Sequence, residues 1–470
     1  MRDAWVVGSG PNGLAGAVEL ARNGLDVTVV EAADEIGGST RTSELTVPGV
    51  LHDHCSAFHP MATASPFLKS LDLARHGLEW RWPEIDLAHP LDDGTAGVMV
   101  RSVDQTAGWL GSDGSAWKRL FEGPSAKFET LLPDLMQPML HVPRRPFRLT
   151  RFGIPALAPA TVIARKWHTE QAKALFGGVA AHALSPLTKP LSSSVGVALI
   201  CAGHAFGWPV ARGGSRAITD ALAAELKEHG GRIETGREVR SLDELPPSDI
   251  VLLDLSPARA ADVAGSRLDA KVARAYRRYK HGPAAFKVDF AVEGGVPWTN
   301  GACRRAGTVH VAGSFAETVA VEAEINRGRM PERPFVLVGQ QYLADPGRSA
   351  GDVHPVWAYA HVPSRWAKDE TDAVISQIER FAPGFRERIV AKVSKSPAEF
   401  EAYNANHIGG DIIGGANTPL QIAMRPRFGF KPYATGIPGV FMCSASTPPG
   451  AGVHGMNGFN AARAALADLG

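Results

Sequence analysis

The sequence predicts an α/β fold, in which a discontinuous Rossmann-type nucleotide-binding domain is interrupted by an inserted α+β domain of antiparallel sheet plus helices. Three observations carry this reading. A strand, a glycine turn, a helix and a second strand fill the first thirty residues. A second βα-like piece lies around Gly213–Gly231, and a glycine-rich stretch leads into one last helix. Between them, apolar segments follow one another without helical spacers, as antiparallel strands do and βαβ units do not.

Taken in order, Ala4 to Val7 is a short apolar strand. Leu14, Val18 and Ala21 then recur at helical spacing, and Gly24 after Asn23 stops the helix. Asp26 to Glu31 is the second strand. The stretch from Glu79 to Val100 alternates around Asp93-Gly94 and reads as a β-hairpin. Phe286–Val292, Thr308–Ala312, Pro334–Tyr342 and His354–Val362 read as an antiparallel meander. The nucleotide-binding domain is therefore placed at 1–75, 206–268 and 401–470, and the inserted substrate domain at 76–205 and 269–400.

Composition narrows the function classes. The 470 residues are enough for two or three domains. Lys and Arg number 49 against 48 Asp and Glu, a net +1, which gives no bulk attraction to nucleic acid and no expectation of a nucleic-acid partner. Four dispersed cysteines (Cys55, Cys201, Cys303 and Cys443) form no CxxC pair, which argues against an iron–sulfur cluster, a zinc knuckle or a dithiol. No signal-peptide core and no run of ~18 apolar residues is present, so a cytoplasmic home is expected. His52, Asp53, His54 and His59 match no ligand spacing, and no metal is expected.

The strongest motif is G-x-G-x-x-G at Gly8, Gly10 and Gly13, set between strand and helix. Gly8 permits the tight turn, Gly10 admits a pyrophosphate to the backbone, and Gly13 packs helix on strand. Pro11 and Asn12 lie inside the turn, and Ala32 follows Glu31, whose carboxylate suits ribose hydroxyls and disfavours a 2′-phosphate. A doublet, Gly37-Gly38, allows a second backbone approach, with Ser39 next and Arg41 as a candidate phosphate counter-charge. At the far end, Gly450 to Gly455 repeats the glycine spacing, but only fifteen residues follow. That leaves room for one helix and no second dinucleotide unit. Gly452, Val453, Gly455 and Met456 would frame a helix N-terminus suited to a partial negative charge, such as the pyrimidine edge of a reduced flavin.

Together these pieces resemble the phytoene desaturase-related flavoproteins, within the FAD superfamily that also holds the flavin amine oxidases; the resemblance is to an uncharacterised bacterial-type branch. The N-terminal GSGPNGLAGAVELARNGLDVTVVEA and the doublet are shared across that superfamily, while TPPGAGVHG is similar to the desaturase pattern T-H-P-G-A-G-I-P-G. FGWPVARGGSRAITDALAAELKEHGGRIETGREVRSL is also of this type, and places Val239 where the family's strand meets the adenine. The resemblance implies FAD, an FAD domain with a substrate domain, and oxidoreductase chemistry on an apolar small molecule. Ser39 stands where the superfamily has Arg, and His454 replaces the desaturase proline. The segment Asn404 to Asp411 recurs in that branch without an assigned reaction.

Two residues are catalytic candidates. His454 adjoins the last glycine and is read either as a proton relay or flavin-charge stabiliser, or as a packing histidine. Lys287 is read either as the lysine that amine oxidases hold near the flavin, or as half of a solvated Lys287–Asp289 pair on the outer sheet face. The leading function is a desaturase- or saturase-like FAD-dependent oxidoreductase; the alternatives are a flavin amine oxidase and a flavin-retaining binding or assembly protein. Last, residues 135–169 contain no Asp or Glu, while Arg144, Arg145, Arg148, Arg151, Arg165 and Lys166 are interleaved with apolar side chains. That run is read either as partly buried with its arginines paired to distant acids, or as a peripheral membrane contact. The oligomeric state is left open.

Overall fold

The computed structural model describes residues 2–469. It opens with strand β1 (Asp3–Val7), helix α1 (Pro11–Arg22) and strand β2 (Asp26–Val30). The two strands are nearly continuous in apolar residues because a parallel strand is covered on both faces. They lie at the centre of a five-stranded parallel sheet, in the order 440–442, 250–253, β1, β2, 232–234. Val6 pairs with Leu252 on one side and Val29 on the other. Three separated stretches of chain thus build one sheet, and α1 packs on it beside the C-terminal helix Met456–Asp468. The two helices touch because neither has a side chain at the crossing. A Cβ on Gly458 would stand 1.8 Å from Asn12 O, and one on Gly16 2.7 Å from Leu252 Cδ1.

The second sheet has seven strands, in the order 389–395, 284–293, 353–362, 336–339, 306–311, 85–90, 96–99. The hairpin forms as expected, with 85–90 antiparallel to 96–99 and Gly94 at φ +83° in the turn. The four later strands also form and pair antiparallel, the last three as a meander, but 284–293 does not precede them in the sheet. The first pairs with the fourth, and 306–311 runs parallel to 85–90 on the far side. Helix Phe315–Asn326 intervenes where no spacer was expected; its capping box, Ser314 with Glu317, initiates it. Alternation marks a strand but does not name its neighbour.

Period two divides this sheet into two faces. Phe286, Val288 and Phe290 belong to an apolar cluster with Val356 and Val338. The other face carries Trp357, Tyr359 and Leu337 together with the ionisable residues Lys287, Asp289, His310 and His361. Helices between 103 and 206 form a further layer, centred on Trp117, which lies 4.5 Å from Phe121 and 5.4 Å from Trp167 by ring centroid.

Candidate functional site

Three glycine segments converge on the start of α1. Gly8 adopts φ +102°, and a Cβ on Gly13 would meet Gly8 O at 2.1 Å, so the turn closes only without side chains. Helix α1 starts from Gly10 with no capping side chain and no acid in its first turn, with Pro11 and Asn12 opening it. Gly37 N donates to Ser9 O at 3.0 Å, and a Cβ on Gly38 would lie 3.1 Å from Gly10 Cα. From the other side, a Cβ on Gly455 would stand 2.8 Å from Ala15 Cβ. The doublet, the turn and the last helix therefore meet within two turns of α1.

The acidic residue that follows β2 is held in place. Glu31 Oε2 accepts from Ser9 N at 2.9 Å and Ser9 Oγ at 2.6 Å, and Oε1 accepts from Ala33 N at 3.0 Å. Ala32 is exposed beside it. Arg41 is placed toward this acid rather than toward α1. Its guanidinium is 3.7 Å from Glu31 Oε1, donates to Ile36 O at 3.1 Å and lies over the Tyr403 ring. Val239 falls outside strand 232–234, its side chain buried in one cluster with Val7 and Val30.

The segment from Tyr403 to Asp411 clamps the doublet. Tyr403 donates its hydroxyl to Gly38 O at 2.9 Å, Asn404 Nδ2 donates to Ser39 Oγ at 3.2 Å, and His407 Nε2 lies 2.8 Å from that same hydroxyl. Asn406 Nδ2 donates to Asp254 O at 3.1 Å. Asp254 itself escaped the sequence analysis. It ends strand 250–253 and turns its carboxylate into the glycine turn, where Oδ2 accepts from Gly13 N at 3.0 Å. Burial, joined by the nearby Glu31 charge, pushes its carboxyl up to about 7. The buried Oδ1 of Asn12, Oγ of Ser256 and Nδ1 of His407 have no partner within the protein. A bare helix start, a cradle that a Cβ would fill and orphaned polar atoms around it fit a dinucleotide.

At the C-terminal helix, Gly455 is left-handed at φ +68° and Met456 is buried, while Gly452 is exposed and Val453 half-buried. His454 is buried, and its Nδ1 accepts from Met456 N at 3.1 Å. Its ring thereby satisfies one N–H of the helix start, and burial brings its pKa down to about 4, so it is neutral. Lys287 also differs from the solvated pair. Its side chain is 1% exposed, ion-paired to Asp289, with the Trp357 ring 6.0 Å away. The face they point to is covered by the segment at 51–53, whose His52 Nδ1 lies 3.5 Å from Asp289 Oδ1, so the pair is buried. His52, Asp53, His54 and His59 form hydrogen-bonded joints. His59 Nε2 lies 2.8 Å from Ser215 Oγ, and buried Asp53 accepts from Thr42 Oγ1 at 2.8 Å and pairs with Arg348. Among the described residues, the three-residue grouping with metal-ligand spacing is His76, Glu225 and Glu228, where Arg75 pairs with both acids.

A histidine row crosses the polar-lined sheet face, and the sequence reading missed it. His361 Nδ1 lies 2.6 Å from Glu322 Oε1, both fully buried, and His310 Nε2 lies 3.0 Å from His182 Nε2. His89 Nε2 donates to Gly313 O at 2.8 Å, which fixes its tautomer and leaves Nδ1 an acceptor. Nδ1 of His89, Nδ1 of His310 and Nε2 of His361 have no partner within the protein. Burial lowers His89 to about 4 and His182 to about 3, and holds His310 well below its ordinary value. Gly178 makes room for them, since a Cβ there would meet His310 Nδ1 at 2.6 Å and His89 Nδ1 at 2.8 Å. The available signal was a histidine at an inward strand position opposite a helical Gly177-Gly178 pair.

Residues 6–71 match the family described as NAD(P)-binding Rossmann-like domain. Across 99% of its length the chain is 24% identical to the pyridine nucleotide-disulfide oxidoreductase domain-containing protein 2 of Rattus norvegicus, covering 94% of that protein. It is 25% identical to the Mus musculus protein of the same name, with the same coverage. The fold is similar to that of an oxidoreductase from Methanosarcina mazei, with TM-score 0.65, 16% identity, and 99% and 100% of the two chains covered. It is also similar to putrescine oxidase, with TM-score 0.62, 15% identity, and 100% and 98% covered. The chain thus pairs a Rossmann-type dinucleotide-binding domain with a separate antiparallel-rich sheet domain, the architecture of these oxidoreductases.

Proposed function

We propose that the protein is an FAD-dependent oxidoreductase that moves hydrogen to or from a carbon–carbon bond of an apolar, lipid- or isoprenoid-like substrate. The observation that supports it best is the convergence of the glycine turn, the doublet and the last helix on one end of α1. The backbone of Gly8, Gly10 and Gly13, the carboxylate of Glu31 and the Gly37-Gly38 doublet would hold the dinucleotide, with the start of helix Met456–Asp468 alongside. FAD, when bound, supplies the hydride donor or acceptor. The name of the rodent relatives mentions disulfide chemistry, but here all four cysteines are free and buried. Burial pushes the thiols of Cys55 to about 11 and of Cys201 and Cys303 to about 12, away from reactive thiolates.

Dehydrogenation of a carbon–carbon bond removes a proton as well as a hydride, and the substrate domain holds groups able to take it. Glu322 keeps His361 oriented through Nδ1, so its partnerless Nε2 is free to act as a base. The neighbouring Trp357, Tyr359 and Leu337 supply an apolar wall. Anaerobic mixing of the flavin-loaded protein with apolar molecules that co-purify with it tests the reading. Bleaching of the flavin by one of them supports it, and His361→Gln should slow bleaching while the flavin stays bound. Bleaching by an amine alone replaces it with amine oxidation. A folded protein that takes up no FAD overturns it.

A further inference from the structure

The run from 135 to 169 buries one side, with Met136, Phe152, Ile163 and Trp167, and leaves the other uncovered by the rest of the chain. Helix Pro146–Leu157 buries Phe152 and Ala156 against the helical core. Its opposite face presents Phe147, Arg151, Ile154 and Leu157 at helical spacing, where a solvated helix would be polar. Phe147 and, in the preceding loop, Val142 are each 91% exposed, and Ile154 is 68% exposed. Of the run's basic side chains, Arg148 donates to the Thr130 hydroxyl at 2.9 Å. Among the described residues, Arg144, Arg145, Arg148, Arg151, Arg165 and Lys166 form no ion pair. Asp134 is spent on the backbone amides of Arg144 and Arg145, at 2.9 and 3.1 Å, and lies 3.4 Å from His141.

We propose that this face docks on an anionic phospholipid bilayer, with Phe147, Ile154 and Val142 entering the headgroup boundary and the arginines pairing with lipid phosphates and carboxylates. The charge pattern selects that occupant. A second copy packed by a two-fold axis would bring the cations of this face against the same cations of its mate. Single-stranded nucleic acid would want aromatic stacking platforms, and this face offers aliphatic side chains around one phenylalanine. A surface that is both apolar and cationic matches the interface of an anionic membrane. No helix among the described residues is long and apolar enough to cross a membrane, so the contact is with one leaflet. The proposal stands on this surface alone, whatever the reaction at the nucleotide end.

Flotation of the full chain with phosphatidylcholine vesicles, with and without phosphatidylserine, is the test. The protein should float with the anionic vesicles at low salt, leave them as salt rises, and ignore the neutral ones. Each arginine of Arg144, Arg145, Arg148 and Arg151 changed to Ser should lower the partition about fivefold. Phe147→Ser with Ile154→Ser should lower it further at unchanged melting temperature, because both side chains already face solvent. No flotation at low salt overturns the proposal, as does flotation that neither set of changes weakens. A concentration-dependent dimer abolished by Phe147→Ser also overturns it, in favour of a second copy as the occupant. Loss of flavin reduction with flotation intact would remove the proposed function and leave this inference standing.

Discussion

At the start of α1 the chain comes together through what its residues lack, and on the polar-lined face of the seven-stranded sheet through what they carry. A Cβ on Gly13, Gly16 or Gly458 would meet a neighbour under 3 Å away, and at Gly8 and Gly38 the gap is 3.1 Å with a left-handed backbone. Lys287, Asp289, Glu322, His310 and His361 sit buried because each has a partner: Lys287 and Asp289 pair within one strand, while Glu322 with His361 and His310 with His182 pair across elements. A glycine contact is steric and tolerates no added atom. A buried ion pair is conditional, since each member is tolerable only while the other is present. The two regions should therefore fail differently when mutated.

The largest expected effect lies on the sheet. Lys287→Met leaves Asp289 as an uncompensated buried charge, with His52 Nδ1 3.5 Å away as its remaining neighbour. Urea denaturation should show a loss of about 3–5 kcal/mol, and Lys287→Met combined with Asp289→Leu should recover most of it. A single change costing under ~1 kcal/mol would mean the pair is solvated, as exposed pairs are. At the nucleotide end no second substitution should rescue the first. Gly458→Ala should cost about 1–3 kcal/mol and loosen flavin retention, because Asn12 O would be 1.8 Å away and both helices must part. Gly301→Ala, where a Cβ meets nothing within 4 Å, is the control and should leave the melting curve unmoved.

The same contrast governs what the sequence made legible. The β1–α1–β2 unit could be read because its signals, a glycine spacing and a following acid, lie within about thirty residues and act locally. The strands of the second sheet were legible as strands from their alternation, and three of them as a meander, but the place of 284–293 and the parallel join to 85–90 were not. Which strand lies beside 284–293 depends on the path through 294–305 and on helix Phe315–Asn326. The histidine row depends on that order, so His89, His182, His310 and His361 could not be grouped. Asp254 was hidden for a related reason. Nothing in Leu252-Leu253-Asp254 says that this strand lies next to β1 and not elsewhere in the sheet. The clamp was visible as a motif, Asn404 to Asp411, but its target, Gly38-Ser39, lies about 365 residues away.

Asp254 also gives the smallest and sharpest test, because it puts a conditional charge inside the steric region. Its carboxyl faces Gly13 N and Gly10 from α1, Glu31 from the end of β2 and Cys443 from the strand on its other side, while Asn406 of the clamp holds its backbone carbonyl. Burial and Glu31 both favour the protonated form, raising the carboxyl from its ordinary 3.8 to about 7. A carboxyl raised on folding stabilises most at pH below about 4 and loses that contribution as pH climbs through about 7. The flavin-free protein should therefore melt lower at pH 8 than at pH 6, and Asp254→Asn should flatten that slope while its amide oxygen still accepts from Gly13 N. On the proposed FAD reading, the pyrophosphate brings further negative charge to the same turn, so the protonated acid is the form that coexists with it. Above pH ~7, FAD affinity should fall by up to about tenfold per pH unit in the wild type and stay level in Asp254→Asn, as flavin fluorescence titration would read. Parallel pH profiles for the two proteins would show that Asp254 is ionised throughout and that the turn accommodates both charges.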